Sequence, residues 1–263
     1  MEFVLGLAQA CHPEEGTVLE LVDRFAAKAK KAGVDLLVFP ESLMTRYEQE
    51  LGDFLSAAEP LDGDFCSSVN EIASKHSLWM VYTANELNPD GRPFNTAVVV
   101  DDKGVIRGAY RKTHLFDTDF TRESDRMGRG NALFEPVETP FGRIGLGICY
   151  DLRFPEVARF AALRGADLLL FPAAWVDGKL KADQWQTLLR ARAIENELFV
   201  AGVSRADKGY IGQSCVVDPQ GVVIAAGGPN EDLVVARIDT GKIGDVRSRM
   251  PVLEHRRPEL YEG

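Results

Sequence analysis

Gly33-Val-Asp-Leu-Leu-Val-Phe-Pro40 and Gly165-Ala-Asp-Leu-Leu-Leu-Phe-Pro172 are nearly the same stretch, met twice in one chain. Each begins on a glycine of the kind that closes a helix and runs on through an unbroken apolar segment, the pattern of a strand buried on both faces. Each is preceded by Arg-Phe-Ala-Ala, starting at Arg24 and at Arg159. A second pair agrees: Val-Val-Asp101-Asp-Lys-Gly104-Val returns as Val-Val-Asp218-Pro-Gln-Gly221-Val, with the turn glycine in the same place.

Working outward from these pairs, periodicity predicts a strand over 3–9, a helix from Val18 to beyond Phe25 and a strand over 35–39. A helix over 65–77, a strand over 79–85 and a hairpin of 96–101 with 105–111 follow. The same order then recurs: strand 143–148, helix 156–164, strand 167–171, helix 181–196, strand 198–204, and a hairpin of 213–218 with 222–225. The spacing predicts two related halves, about 1–140 and 141–245, with a tail over 246–263, all in a single domain over 1–263. Each half has a sheet with helices on one face, and the open faces are most simply buried against each other. The expected fold is α/β, a four-layer αββα sandwich. The long period excludes a solenoid, whose repeats run to roughly 20–50 residues.

Composition excludes several classes of partner. The 263 residues carry 30 basic and 40 acidic side chains, a formal charge of -10, which repels phosphate backbones and anionic lipid. No apolar run approaches the roughly 18 residues that a membrane helix needs. Cys11, Cys66, Cys149 and Cys215 are far apart, without a C-x-x-C pair or a disulfide framework. A cytoplasmic protein is expected, with no nucleic-acid or membrane partner.

Residues that break the repeat are not explained by the shared fold. Glu41 directly follows Pro40 at a strand's carboxyl end, where the second half has Ala173; α/β folds gather their sites at such ends. Cys149 ends Arg-Ile-Gly-Leu-Gly-Ile-Cys, where the first half has Gln9. A helix expected from Pro155 suggests a thiolate stabilised by exposed amides and the helix dipole. Lys112 ends the first hairpin, and the second has no matching lysine. Together they supply a nucleophile, a carboxylate able to take its proton and a cation able to hold an oxyanion. A papain-like arrangement needs a histidine instead; among His12, His76, His114 and His255 only His114 is near enough to Lys112 in sequence to compete.

Phe-Pro-Glu41, Tyr-Arg-Lys112-Thr-His-Leu-Phe and Gly-Ile-Cys149-Tyr-Asp-Leu-Arg-Phe-Pro-Glu156 resemble the nitrilase superfamily of carbon-nitrogen hydrolases, in particular its omega-amidase and deaminated glutathione amidase branch. Leu-Arg-Ala-Arg-Ala-Ile-Glu195-Asn196 and the tail from Arg256 to Tyr261 extend the similarity over nearly the whole chain. The resemblance implies a thiol amidase with no metal or organic cofactor, assembled as a homodimer or larger homo-oligomer. It implies that Cys149 attacks a small linear carboxamide, that Glu41 carries the proton to departing ammonia, and that Lys112 stabilises the tetrahedral intermediate before a thioester forms.

Further residues come with it. The amide of Tyr150 is the natural second oxyanion donor, and Glu123 aligns with a glutamate that positions substrate and Lys112. Arg153 suits a substrate carboxylate, as in 2-oxoglutaramate or succinamate, and equally suits a structural partner such as Glu156. Tyr47 and Trp175, after the two Phe-Pro turns, are candidate pocket walls. The loop of residues 113–133 is long enough to form a rim or lid. N-carbamoyl amino acids and deaminated glutathione remain alternative substrates, and a non-catalytic interaction scaffold is the alternative of another class.

Overall fold

The structure, a computed structural model, describes residues 1–46, 51–89, 91–119 and 121–260. In chain order the elements are β1 (Glu2–Gln9), α1 (Val18–Lys31), β2 (Leu36–Val38), α2 (Leu51–Ala57), α3 (Asp64–His76), β3 (Trp79–Glu86), β4 (Phe94–Val100), β5 (Ile106–Arg111) and β6 (Val137–Thr139). They continue with β7 (Gly142–Leu146), α4 (Pro155–Leu163), β8 (Leu168–Ala173), α5 (Lys181–Asn196), β9 (Phe199–Ser204), β10 (Cys215–Val217), β11 (Val223–Ala226), β12 (Asp232–Asp239) and α6 (Gly241–Arg249).

Two six-stranded sheets result, ordered β12-β1-β2-β3-β4-β5 and β11-β10-β9-β8-β7-β6. Strand side chains alternate between faces, and the burial follows that alternation. Leu5, Leu7, Leu36 and Val38 meet Ile144, Leu146, Leu168 and Leu170 between the sheets. Leu37, Met80 and Val98 point the other way, onto Phe25 and Ala29 of α1 and Val69 of α3. Leu169, Phe171 and Val200 pack under α4 and α5. The layers are therefore helix, sheet, sheet, helix, as expected. Full burial of each large apolar side chain contributes roughly 1.5–3 kcal/mol, so neither sheet's inner face is stable without the other.

The repeat is written in hydrogen bonds as well as in letters. Gly33 and Gly165 have φ of 73° and 80°, and the next residue donates back to the helix in the same way: Val34 to the carbonyl of Ala29, Ala166 to that of Ala161, each at 3.0 Å. Asp35 then accepts from the Val4 amide and Asp167 from the Arg143 amide, each at 2.8 Å. At the hairpins, Asp101 accepts from Lys103 and Val105, and Asp218 from Gln220 and Val222, all at 2.9 Å.

The sheets, however, do not divide at the sequence midpoint. β12 pairs antiparallel with β1, Glu2 opposite Asp239, so a strand from the second half completes the first sheet. β6, from the end of the first half, pairs with β7. Each half thus lends an edge strand to the other's sheet, and the halves cannot separate without breaking ladders. No helix among the described residues is long and apolar enough to cross a membrane.

Candidate active site

The turns after β2 and β7 open toward one cavity between the sheets' ends. Both place a non-glycine residue in the left-handed region, Ser42 at φ 56° and Cys149 at φ 46°, at a cost of roughly 1–3 kcal/mol each. Surrounding contacts hold both turns. At the first, His12 Nε2 and Arg205 Nη1 donate to the Ser42 carbonyl at 2.9 and 3.0 Å. Asp207 ties the clamp together by accepting from Arg205 Nε at 2.7 Å and from the His12 amide at 2.6 Å. Burial, aided by the Arg205 charge, pushes His12 down to about 4, so it is a neutral donor at physiological pH.

At the second, Cys149 begins a 3-10 turn, Cys149–Arg153. The fully buried Asp151 accepts from the Ile148 amide at 2.8 Å. The same carboxylate reaches the segment around Lys112, accepting from Tyr110 Oη at 2.9 Å and meeting His114 Nδ1 at 2.7 Å. Two residues before the nucleophile a glycine, Gly147, is favoured, since a Cβ there would lie 2.5 Å from the Phe171 ring.

Glu41, Lys112 and Cys149 come together, as their departure from the repeat predicts. Lys112, 1% exposed, follows β5, where its amide bonds to the Asn95 carbonyl at 2.9 Å. Its Nζ donates to Glu41 Oε1 at 2.8 Å and to Glu123 Oε2 at 2.8 Å. Glu41 Oε1 also accepts from Asn95 Nδ2, and Oε2 from the Ala174 amide, each at 2.8 Å. The donor at Ala174 adjoins the second-half counterpart of Glu41, so the two pseudo-related strand ends meet at one carboxylate. Glu123 is equally buried and accepts from the Phe116 amide at 2.7 Å; it stands behind Lys112.

The electrostatics assign protons. Burial raises the Glu41 carboxyl, but the Lys112 ammonium, the Ala174 amide and the thiol outweigh it and leave Glu41 below its ordinary value. Burial and the Glu41 charge raise Glu123, against Lys112. Lys112 lies well above its ordinary value because the two carboxylates overcome burial. The thiol departs from expectation. Burial first, then the Glu41 charge, push Cys149 well above a free cysteine despite Lys112. The exposed amides of the helix end act locally, and desolvation beside an anion is the stronger effect here. At rest the thiol keeps its proton while Glu41 is ionised on the same cavity wall, so the thiol can lose its proton as it attacks.

The cavity, about 30 Å³, is walled by Glu41, Lys112, Phe116, Cys149, Tyr150, Arg153, Ala174, Trp175, Val176 and Lys181. Tyr150, Arg153 and Trp175 therefore reach it, while Tyr47 lies outside the described residues. Tyr150 is the second residue of the 3-10 turn, where an amide lacks a carbonyl partner within the turn. Arg153 does not hold Glu156: its Nη2 donates to Gln184 Oε1 at 2.8 Å and its guanidinium lies 4.9 Å from the Trp175 ring centroid. His114 is not on the wall but bonded to Asp151 and stacked on Phe154 at 3.7 Å, so it does not orient the thiol. Among the described residues, no group of three or more His, Cys, Asp or Glu is arranged to hold a metal ion.

Sequence reasoning missed Asn95, the Ala174 amide and Lys181. Asn95 left a signal: it shares a strand face with Ala97 and Val99, which pack between the sheets, and a polar residue on that face needs a partner.

Comparison with known proteins shows the family. The family model described as carbon-nitrogen hydrolase matches residues 4–248. A deaminated glutathione amidase of Escherichia coli O157:H7 is 35% identical over 90% of each chain. An omega-amidase of Homo sapiens is 34% identical over 90% of this chain and 88% of that one. A solved structure of a mutant amidase from Nesterenkonia sp. AN1, with the acetamide moiety of fluoroacetamide added covalently at its active-site cysteine, superimposes with a TM-score of 0.83. It is 25% identical and is covered to 95%, with 100% of this chain.

Proposed function

The chain belongs to the carbon-nitrogen hydrolase family, and from that premise we propose that it is a thiol amidase, converting a small linear carboxamide to a carboxylic acid and ammonia. The observation that carries the reading is the convergence of Cys149, Glu41 and Lys112 on one cavity, with Lys112 Nζ 2.8 Å from Glu41 Oε1. Glu41 takes the thiol proton as sulfur attacks the amide carbonyl carbon. Lys112 Nζ contacts Glu41 Oε1 and both oxygens of Glu123; as the oxyanion forms, the ammonium shifts one of its three donors from Glu123 to the new oxygen, which the Tyr150 amide also serves. The tetrahedral intermediate collapses as Glu41 passes its proton to the departing ammonia, leaving a thioester on Cys149. Glu41 then deprotonates water, which attacks the thioester; the carboxylic acid leaves and the thiol regains its proton.

An omega-amidase-like substrate, the monoamide of a dicarboxylic or 2-oxo dicarboxylic acid, fits best. Support comes from the narrow cavity and the Arg153 fork on its wall. The similarity to the bacterial deaminated glutathione amidase supports a second reading, a longer peptide-like amide. A nucleophilic thiol must stay reduced, which suits a cytoplasmic enzyme. Ammonia release across succinamate, 2-oxoglutaramate, deaminated glutathione and N-carbamoyl amino acids tests the assignment. Turnover of the two short monoamides, absent in Cys149→Ala, is expected; turnover of deaminated glutathione alone would select the second reading.

A further inference from the structure

We propose that Lys181 joins Arg153 in a two-cation subsite for the carboxylate of the substrate, and that Lys181 sets the preference for anionic over neutral amides. The inference rests on the amidase reading above and names the distal group of its substrate.

Lys181 is the first residue of α5 and lines the cavity with Cys149 and Glu41. A lysine is unfavourable at the positive end of a helix, and a second cation close by makes it more so. Burial and the Arg153 charge both push the Lys181 ammonium below its ordinary value, while the Cys149 sulfur opposes them. Among the described residues neither Lys181 nor Arg153 has a carboxylate within 4.0 Å. Deeper in the cavity the situation is the reverse, since Lys112 has two anionic partners. The cavity thus runs from a compensated reaction centre to an uncompensated positive wall.

That wall is built rather than incidental. Trp175 Nε1 donates to the Lys181 carbonyl at 3.0 Å, and the opposite partner of Trp175 is the Arg153 guanidinium. Arg153 is also bonded to Gln184, one turn along α5 from Lys181. The Lys181 ammonium lies 5.7 Å from the Phe116 ring centroid, against an aromatic side chain of the cavity rather than out in solvent. Two like charges held on one framework, facing a cavity and lacking a counter-ion, are explained if the substrate brings the anion. A guanidinium fork takes both carboxylate oxygens and an ammonium adds a point charge. With the amide carbon at Cys149, the occupant is a short chain carrying a carboxamide at one end and a carboxylate at the other.

The test compares succinamate with butyramide, which replaces the carboxylate by a methyl group, in the wild type, Lys181→Met and Lys181→Arg. Lys181 is only partly buried, so methionine keeps its stem packing, and thermal unfolding checks the fold. The wild type should prefer succinamate. Lys181→Met should raise the succinamate KM so that the succinamate-to-butyramide ratio of kcat/KM falls roughly 10- to 100-fold, with Lys181→Arg recovering most of it. A wild-type preference for succinamate that survives unchanged in Lys181→Met would overturn the role of Lys181 and leave the amidase reading standing. Hydrolysis of both amides without preference would overturn the anionic subsite, and no ammonia from any amide would overturn the amidase reading itself.

Discussion

Replacing Glu41 by glutamine keeps the size of the side chain and removes its charge. In the native site both oxygens accept: Oε1 from Lys112 Nζ and Asn95 Nδ2, and Oε2 from the Ala174 amide, all at 2.8 Å. A carboxamide has one oxygen and one NH2, so in either orientation a donor faces a donor. An unsatisfied buried donor costs roughly 1–3 kcal/mol. Lys112 also loses one of two anionic partners; stripping a buried pair costs roughly 3–5 kcal/mol, reduced here because Glu123 remains. The variant should lose about 2–4 kcal/mol, lowering Tm by roughly 5–15 °C.

Activity should fall further. The thiol is protonated at rest, so loss of its base removes roughly 10²- to 10⁴-fold in kcat. The Glu41 charge also helps hold the thiol high, so in Glu41→Gln the thiol ionises at lower pH than in the wild type. What activity remains should therefore rise with pH as the thiolate forms unaided. Ammonia release at saturating succinamate, followed from acid to alkaline pH alongside calorimetry, reads both effects. A kcat within about threefold of the wild type, or an unchanged pH profile, would refute the proton-carrying role.

His12 supplies a prediction about stability. Its folded pKa is about 4 against 6.5 unperturbed, so below 6.5 the unfolded chain takes up a proton that the folded chain refuses. Stability should drop as pH falls through that window, by roughly 2–3 kcal/mol. His12→Gln, whose amide can still donate to the Ser42 carbonyl, should flatten this part of the curve in urea unfolding at neutral and mildly acid pH; equal acid sensitivity in both proteins would count against it. Asp151→Asn sets an amide against the donors at Ile148, Tyr110 and His114, loosening the Cys149 turn. Its kcat should fall about 10- to 100-fold with a smaller change in KM, and steady-state kinetics showing a pure KM effect would contradict that.

What the sequence made legible divides along the range of the forces involved. The helices α1, α3, α4 and α5 and most buried strands follow from local pattern within a dozen residues, whereas α2, β6 and α6 were not predicted, being short segments that bury few side chains. β12 escaped because its reading needs β1, more than two hundred residues away; alone, Asp-Leu-Val-Val-Ala-Arg-Ile-Asp is a short alternating run with no partner in sight. Glu41, Lys112 and Cys149 were legible because each breaks a repeat. Asn95 and Lys181 were not, since strand Asn and helix-start Lys are ordinary until a fold turns them toward one cavity. The thiol was misjudged for the same reason: the helix end is visible in the local sequence, but the Glu41 charge and the burial that outweigh it arrive through space.

The central claim is that the amide's acyl group passes through a thioester on Cys149. Acid quenching of the enzyme during succinamate turnover, followed by peptide mass spectrometry, measures it directly. The account predicts a succinyl adduct on the peptide carrying Cys149, labile to hydroxylamine and missing from Cys149→Ala, which releases no ammonia. An adduct on another residue, or ammonia release by Cys149→Ala at the wild-type rate, would contradict it.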